Sequence, residues 1–200
     1  MDRHTAVSCA ICCGLPILIF FTIMIVLSSQ AHMPTFTIQD LYIPALNTRF
    51  PELINSTLIT FIFFDLQLEL NNVVPDGGVR YETVDLLFYY GPDQTSLIPI
   101  ANYTVPGFYQ DDDTAHRRDV VETRGLPWLD AFQAVSGGST VVIRVEMAAK
   151  MKLERSYWYD EEKEVMLGGN VEVDGSGEMV GKKGIKLKPK ASNLINVYSV

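Results

Sequence analysis

Hydrophobic and polar residues alternate strictly along the segment from Val141 to Leu153. Every odd-numbered position in it is apolar, whereas charged residues such as Arg144 and Glu146 take even positions. Successive side chains of a β-strand point to opposite faces, so this pattern predicts a strand with one buried and one solvated face. Because its 13 residues exceed the usual strand length, we expect a bend or bulge near Ala148-Ala149.

The same alternation recurs from Ile62 to Leu70, where apolar residues take the even positions. Five further strand-like runs are separated by clusters of Gly, Pro and Asp, and they cover Thr35 to Ile43, Val79 to Tyr90, Ser96 to Val105, His116 to Thr123 and Val165 to Val173. Seven short strands with turn signals between them predict an all-β, antiparallel β-sandwich.

One segment departs from strand alternation. Between Gly125 and Gly137-Gly138, the residues Leu129, Phe132 and Val135 have the spacing of one helix face. This predicts a short helix that covers the core. Trp128 at its start is either a buried anchor, which we favour, or a contact for a partner.

An uncharged run of 22 residues, Ala6 to Leu27, precedes the strands. As a helix it would reach about 33 Å, enough to cross the hydrocarbon core of a bilayer. A cleaved signal peptide is the alternative, because Ser29-Gln30-Ala31 suits a signal peptidase. The run is longer than a typical signal-peptide core, so a single transmembrane helix is favoured.

The charges that flank this run predict its orientation. Arg3 precedes it, and no Lys or Arg follows until Arg49, which places the N-terminus in the cytosol. The predicted organisation is a cytosolic tail (1–5), a transmembrane helix (6–28), a linker (29–34), an extracytosolic sandwich (35–181) and a basic C-terminal tail or edge strand (182–200).

Small residues and thiols within the run offer two further possibilities. Ala6, Ala10 and Gly14 share one helix face and could mediate a helix dimer. The only cysteines of the chain, near the cytosolic end, are candidates for acylation or simply small apolar fillers: Cys9, Cys12 and Cys13. A metal site among them is not expected, since no fourth ligand is offered inside lipid.

Two sequons follow the run, Asn55-Ser56-Thr57 and Asn102-Tyr103-Thr104. An extracytosolic domain would expose both to the glycosylation machinery. Asn55 and Asn102 are therefore glycosylation candidates.

The chain carries 16 Lys and Arg against 24 Asp and Glu, a net charge of −8. This acidic balance argues against a nucleic-acid partner. A basic cluster near the C-terminus could contact anionic lipid or an acidic wall polymer, although a lysine-protected edge strand is the commoner case; it consists of Lys182, Lys183, Lys186, Lys188 and Lys190.

Catalytic and cofactor-binding motifs are missing from the sequence. Its histidines are His4, His32 and His116, and no Gly-x-Ser-x-Gly elbow is present. His116 reads as a solvated strand residue. Asp111-Asp112-Asp113 lacks the ligand spacing of a calcium loop, and Gly181-Lys182-Lys183 lacks that of a phosphate loop. We therefore expect no catalytic residue, no cofactor, no metal and no enzymatic activity.

The order of several motifs resembles a known family. They are Asn71-Asn72, Tyr81-Glu82, Tyr89-Tyr90, Pro106-Gly107-Phe108-Tyr109-Gln110, Gly125 and Lys150-Met151-Lys152-Leu153. Over roughly Ala6 to Val173 the chain resembles the plant late embryogenesis abundant group 2 superfamily, in its membrane-anchored branch of harpin-induced and non-race-specific disease resistance-like proteins. The Asn-Pro-Asn motif of that family is degenerate here, because a turn is inserted at Val73 to Gly78.

The resemblance implies a fibronectin/immunoglobulin-like β-sandwich at the plasma membrane, with a role in defence or stress responses and no enzymatic role. The leading hypothesis is a displayed interaction module that meets other proteins at the cell surface. The alternative is a stress-protection protein that binds lipid or apolar ligands.

Overall fold

A computed structural model describes residues 19, 20, 22, 33–50, 60–71, 77–91, 97–123, 128–154, 161–181 and 183–190. The chain divides into two units, Met1–Met33 and Pro34–Val200. In the first unit the described residues Ile19, Phe20 and Thr22 are helical, and the rest of the predicted span 6–28 lies outside the described residues. In the described ranges, no helix combines the length and the apolar character needed to cross a membrane.

The second unit is built mainly from antiparallel strands. Its described elements are β1 (Thr35–Tyr42), a 3-10 turn (Pro44–Leu46), β2 (Thr60–Glu69), β3 (Gly78–Tyr90), β4 (Ile98–Val105), β5 (Phe108–Gln110), β6 (Thr114–Thr123), α1 (Trp128–Ser136), β7 (Val141–Glu154), β8 (Glu161–Val173), β9 (Ile185–Lys186) and β10 (Lys188–Pro189). Each of the seven predicted runs corresponds to one of these strands. The all-β, antiparallel prediction is confirmed. β5 was not expected from the sequence, whereas β9 and β10 lie in the segment 182–200, for which a basic tail or an edge strand was expected.

Two sheets divide these strands. The four-stranded sheet has the order β6-β2-β1-β9, and the six-stranded sheet has the order β10-β8-β7-β3-β4, with β5 also paired to β3. Their inward faces share one hydrophobic core, which includes Ile143. Aromatic contacts join the sheets across it: ring centroids lie 6.1 Å apart for Phe36 and Tyr81 and 5.6 Å apart for Phe64 and Phe88.

The bulge expected in β7 near Ala148-Ala149 lies elsewhere, so that prediction is wrong. β7 pairs with β8 in unbroken register, and the register shift falls on β3 between Tyr81 and Thr83. Gly107 packs against this bulge. A Cβ on Gly107 would lie 2.7 Å from the Glu82 carbonyl oxygen, so only glycine allows this approach.

The predicted helix is present, and of the three residues predicted for its inner face Val135 is buried and Phe132 packs against the core, but Leu129 is exposed. Trp128, Ala131 and Val135 face the core, whereas Leu129 is 60% exposed. The helix ends in the predicted glycine pair, where Gly138 has a φ of 84° and donates its N–H to the Val135 carbonyl at 3.1 Å. Trp128 is buried, as favoured from the sequence.

Residues 185–189 cross from one sheet to the other, and we call them the C-terminal crossing. Ile185–Lys186 pairs with β1 and Lys188–Pro189 pairs with β8. Between them Leu187 is buried and donates its N–H to the Phe36 carbonyl at 2.8 Å. The crossing thereby covers one open side of the two sheets.

Candidate interaction surface

One surface of the four-stranded sheet points away from the core, and we call it the outer face. Its side chains lie in register from strand to strand. The antiparallel pairing sets three adjacent rows across β1, β2 and β6. The rows are Asp40-Asp65-Arg118, then Tyr42-Phe63-Val120, then Phe61-Glu122. The outer face thus combines apolar and charged side chains over three strands.

The middle of the outer face is apolar and accessible to solvent. Phe61 and Phe63 are each 45% exposed, and Val120 is 42% exposed. The rings of Tyr42 and Phe63 lie 6.1 Å apart. A shallow cleft of about 440 Å³ runs beside Phe63 and Val120 and reaches Asp40 and Arg118. Contiguous exposed apolar side chains rimmed by polar ones are typical of interaction sites.

Asp65 anchors the charged row. It is only 7% exposed, because two side chains of β6 close over it. His116 Nδ1 lies 2.9 Å from Asp65 Oδ1, and Arg118 Nε donates to Asp65 Oδ2 at 2.8 Å. Burial by itself raises the pKa of Asp65, but the hydrogen bonds from Arg118 and His116 outweigh it and hold this pKa below its ordinary value. His116 is therefore a strand residue with a carboxylate partner, which the sequence did not indicate.

We expect Asp65→Asn to destabilise the protein in a pH-dependent way. Because folding depresses the pKa of Asp65, its ionised carboxylate stabilises the folded protein. This stabilisation is present above the unfolded pKa of about 3.9 and is lost as pH falls through the folded pKa. His116 and Arg118 are largely exposed, so Asp65→Asn should lower the free energy of unfolding at pH 7 by about 1 kcal/mol. Chemical denaturation of both proteins from pH 7 to pH 3 checks this. A difference that stays constant over that range would contradict it.

The motif residues Tyr81, Phe108 and Gln110 lie together inside the domain. The rings of Tyr81 and Phe108 stack with centroids 4.6 Å apart, and the Arg117 guanidinium lies 3.9 Å above the Phe108 ring. Gln110 is buried. Its Oε1 accepts from the Tyr81 hydroxyl at 3.3 Å, and its Nε2 donates to the carbonyls of Leu68 at 3.2 Å and Asp112 at 2.9 Å.

Tyr109, within the same motif, points the other way. It is 43% exposed, and the Arg80 guanidinium lies 5.4 Å from its ring centroid. The motif therefore divides into an internal cluster of Tyr81, Phe108 and Gln110 and an exposed tyrosine. It does not form part of the outer face.

Asn71 lies two residues beyond the end of β2 in a left-handed conformation, with a φ of 47°, which asparagine tolerates better than most residues. Its Nδ2 donates to Thr35 Oγ1 at 2.8 Å. This bond joins the end of β2 to the start of β1. Asn71 is thus a turn residue of the sheet.

Asn102 is exposed on the edge strand β4, opposite Leu87 of β3. Thr104 of the same sequon donates to Asp85 Oδ1 at 2.6 Å. The remaining sequence candidates lie outside the described residues: Asn55, Asn72, Cys9, Cys12, Cys13, Ala6, Ala10 and Gly14.

The edges of β4 and β6 meet at the other open side of the sheets. Tyr103 donates its hydroxyl hydrogen bond to Asp119, which raises the pKa of Tyr103 to about 12. The Tyr103 ring also packs edge-on against Phe64, 5.5 Å away. Clefts of about 560 Å³ and 300 Å³ border this edge, and their linings include Asn102 and Tyr103 respectively.

The described lysines of the basic C-terminal segment do not form one patch. Lys186 lies opposite Thr37 in the four-stranded sheet, and Lys188 lies opposite Gly168 in the six-stranded sheet. Lys190 Nζ pairs with Glu146 Oε2 at 2.9 Å. The C-terminal crossing therefore separates charges that are adjacent in sequence.

The sequence motifs resemble the non-race-specific disease resistance-like branch of the late embryogenesis abundant group 2 superfamily. The chain is 28% identical over 204 residues to Protein NDR1 of Arabidopsis thaliana, an alignment that covers 96% of this chain and 87% of that protein. This similarity supports the resemblance that the sequence motifs indicated.

Two other comparisons add no argument. No protein-family model matches the chain. A crystal structure of a protein from Archaeoglobus fulgidus aligns with a TM-score of 0.32 at 10% identity, covering 56% of this chain and 83% of that one. An overlap at this level defines neither the sandwich type nor a function.

Proposed function

We propose that this chain is a non-enzymatic, single-pass protein of the plant plasma membrane that displays its β-domain to partner proteins during disease resistance. The observation that carries the proposal is the similarity to Protein NDR1 over 96% of the chain. At that coverage the alignment must include most of residues 6–28. The aligned region therefore includes residues of both the apolar run and the β-domain.

The outer face supports an interaction role. Phe61, Phe63 and Val120 keep over two-fifths of their surface in water, although nothing in the alternation of a strand requires apolar residues on that side. By contrast, the buried polar side chains Asp65 and Gln110 are occupied by hydrogen bonds that join strands. The apolar side chains are thus exposed, whereas these buried polar side chains hold strands together. This arrangement favours binding of a partner over catalysis, and we place the contact on the outer face.

The domain is proposed to be a fibronectin/immunoglobulin-like sandwich, in line with two antiparallel sheets that share a core. The alternative role, binding of lipid or apolar ligands, drew on the basic C-terminal cluster. Because Lys186 and Lys188 lie in different sheets and Lys190 pairs with Glu146, interaction with proteins is the better supported role.

The first test is the topology of the full-length chain in sealed vesicles. We expect a C-terminal tag to be protected from protease and the chain to shift on glycosidase treatment. Asn102→Gln should reduce that shift, since Asn102 is exposed on β4. A tag that is digested, on a chain that does not shift, would refute the extracytosolic placement.

The second test is proximity labelling from the full-length chain in plant cells. We expect Phe63→Ser with Val120→Ser to lose labelled surface proteins that the wild type recovers. The matched control is Leu87→Ser with Met166→Ser, which removes two comparably exposed apolar side chains from the six-stranded sheet. Equal recovery by all three proteins would refute the outer face as the contact surface.

A further inference from the structure

Asn102 lies where a sequon, a strand edge and a largely apolar cleft meet, and we infer that it carries an N-linked glycan whose first sugars lie in this cleft and cover Leu87. The glycan is then a packed part of the β-domain. This inference rests on the extracytosolic placement proposed above and deepens it. It follows from the surroundings of Asn102, the position of Leu87 and the lining of the cleft.

Asn102 can carry a sugar without the loss of a native contact. Its side chain is exposed, and within the described ranges its side-chain amide takes part in no hydrogen bond. The other two residues of the sequon differ, because Thr104 donates to Asp85 Oδ1 at 2.6 Å and Tyr103 donates to Asp119. Attachment at Asn102 Nδ2 therefore leaves these bonds of β4 intact.

Leu87 lies directly beside the attachment point. It is the antiparallel partner of Asn102 across β3 and β4, and side chains paired in this way point to the same face with Cβ atoms about 5 Å apart. Leu87 is 40% exposed. One face of a pyranose ring presents C–H groups, so a sugar on Asn102 that packs over Leu87 removes apolar surface from water.

The cleft beside Asn102 has the size and the lining that a sugar requires. Its volume is about 560 Å³, within the range of roughly 300–1,000 Å³ that is typical of small-molecule sites. Its polar lining is Asn102 and Glu122, and its apolar lining is Leu87, Pro99, Ile100, Ala101 and Val121. A carboxylate accepts several hydrogen bonds, so Glu122 can receive sugar hydroxyls in addition to the interaction that it already makes.

Covalent attachment selects the occupant of the cleft. A sugar linked to Asn102 is held beside the cleft at a high effective concentration, so weak packing is enough to keep it there. An untethered ligand, by contrast, loses its translational and rotational freedom on binding.

The same sugar covers the outer edge of β4, which is the end strand of the six-stranded sheet in the order that the structure describes. An open strand edge can pair with a strand of another chain. A glycan in the cleft therefore blocks association of two copies through β4.

The test compares the thermal unfolding of glycoforms of the full-length chain in nanodiscs. The chain is made in plant cells with kifunensine, and every protein carries Asn55→Gln, which removes the other sequon. Endoglycosidase H then leaves one N-acetylglucosamine on Asn102. We expect this trimmed form to unfold within about 1 °C of the intact glycoform, and Asn102→Gln to unfold about 3 °C lower. The chain made with tunicamycin, which keeps Asn102 without a sugar, should match Asn102→Gln.

Leu87→Ser identifies the contact that the sugar makes. It should lower the unfolding temperature by about 3 °C in the glycosylated chain and by less than about 1 °C in Asn102→Gln, where Leu87 is already in water. The matched control is Met166→Ser, which removes another exposed apolar side chain of the six-stranded sheet and should have the same small effect in both backgrounds. An effect of Leu87→Ser that is equal in both backgrounds would overturn the inference.

The remaining outcomes separate this inference from the proposed function. A chain that is glycosylated at Asn102 but unfolds at the same temperature with and without the sugar overturns the inference and leaves the proposed function standing. So does a chain whose C-terminal tag is protected from protease while Asn102 carries no sugar. A digested tag on an unglycosylated chain refutes both.

Discussion

Ile143→Asp is expected to lower the free energy of unfolding by about 4 kcal/mol, among the largest effects of any single substitution in this chain. Ile143 is completely buried on β7, between β3 and β8. An aspartate there has no partner in the apolar core, so it must either bury a charge or take up a proton. Denaturant unfolding of the full-length protein measures the loss.

The control for this substitution is Met166→Asp on the neighbouring strand β8. Met166 is 60% exposed, so a carboxylate at that position stays hydrated and should cost less than about 1 kcal/mol. If Ile143→Asp had an effect as small as Met166→Asp, or left surface levels of the protein unchanged, the inward assignment of the odd-numbered face of β7 would be refuted.

Gln110→Leu is expected to cost about 3 kcal/mol, because it leaves buried groups without hydrogen-bond partners. Gln110 satisfies the carbonyls of Leu68 and Asp112 and accepts from the Tyr81 hydroxyl. These bonds link β2, β3 and the turn that leads into β6. Leucine has a similar volume, so the loss would reflect unpaired polar groups rather than a cavity.

Tyr109→Leu provides the comparison within the same motif. Tyr109 is exposed, and its replacement should change stability by less than about 1 kcal/mol. Tyr81→Phe should lie between the two, at about 1 kcal/mol, since it removes one hydroxyl bond. Thermal and denaturant unfolding of the three variants rank them, and a Tyr109→Leu effect equal to that of Gln110→Leu would contradict the division of the motif.

Much of the fold could be predicted from the sequence because most of the long strands bury one face. The alternation from Val141 to Leu153 and from Ile62 to Leu70 marks strands without any knowledge of their partners. β5, β9 and β10 have only two or three residues, too few for a periodic pattern to emerge. The bulge was assigned to β7 from strand length, but a bulge requires an extra residue relative to the partner strand, and that residue is Glu82 on β3.

The candidate surface depends on register, which periodicity does not set. Asp65 meets Arg118, 53 residues further along the chain, only because β2 and β6 pair as they do. A shift of one residue would turn every side chain to the other face. The one available signal was a set of apolar residues on the polar side of the alternation, Phe61 and Phe63 in β2 and Val120 in β6.

The C-terminal crossing bears on how the protein is made. Among the strands that the structure describes, β1 is the first to be synthesised, yet its outer neighbour β9 is nearly the last. Until Ile185 and Lys186 have been made, the edge of β1 stays open, and an unpaired edge can join the strand of another chain. A chain truncated before Ile185 would therefore fold into a domain with an uncovered edge and no Leu187 between its sheets, and we expect such a product to aggregate or to be degraded.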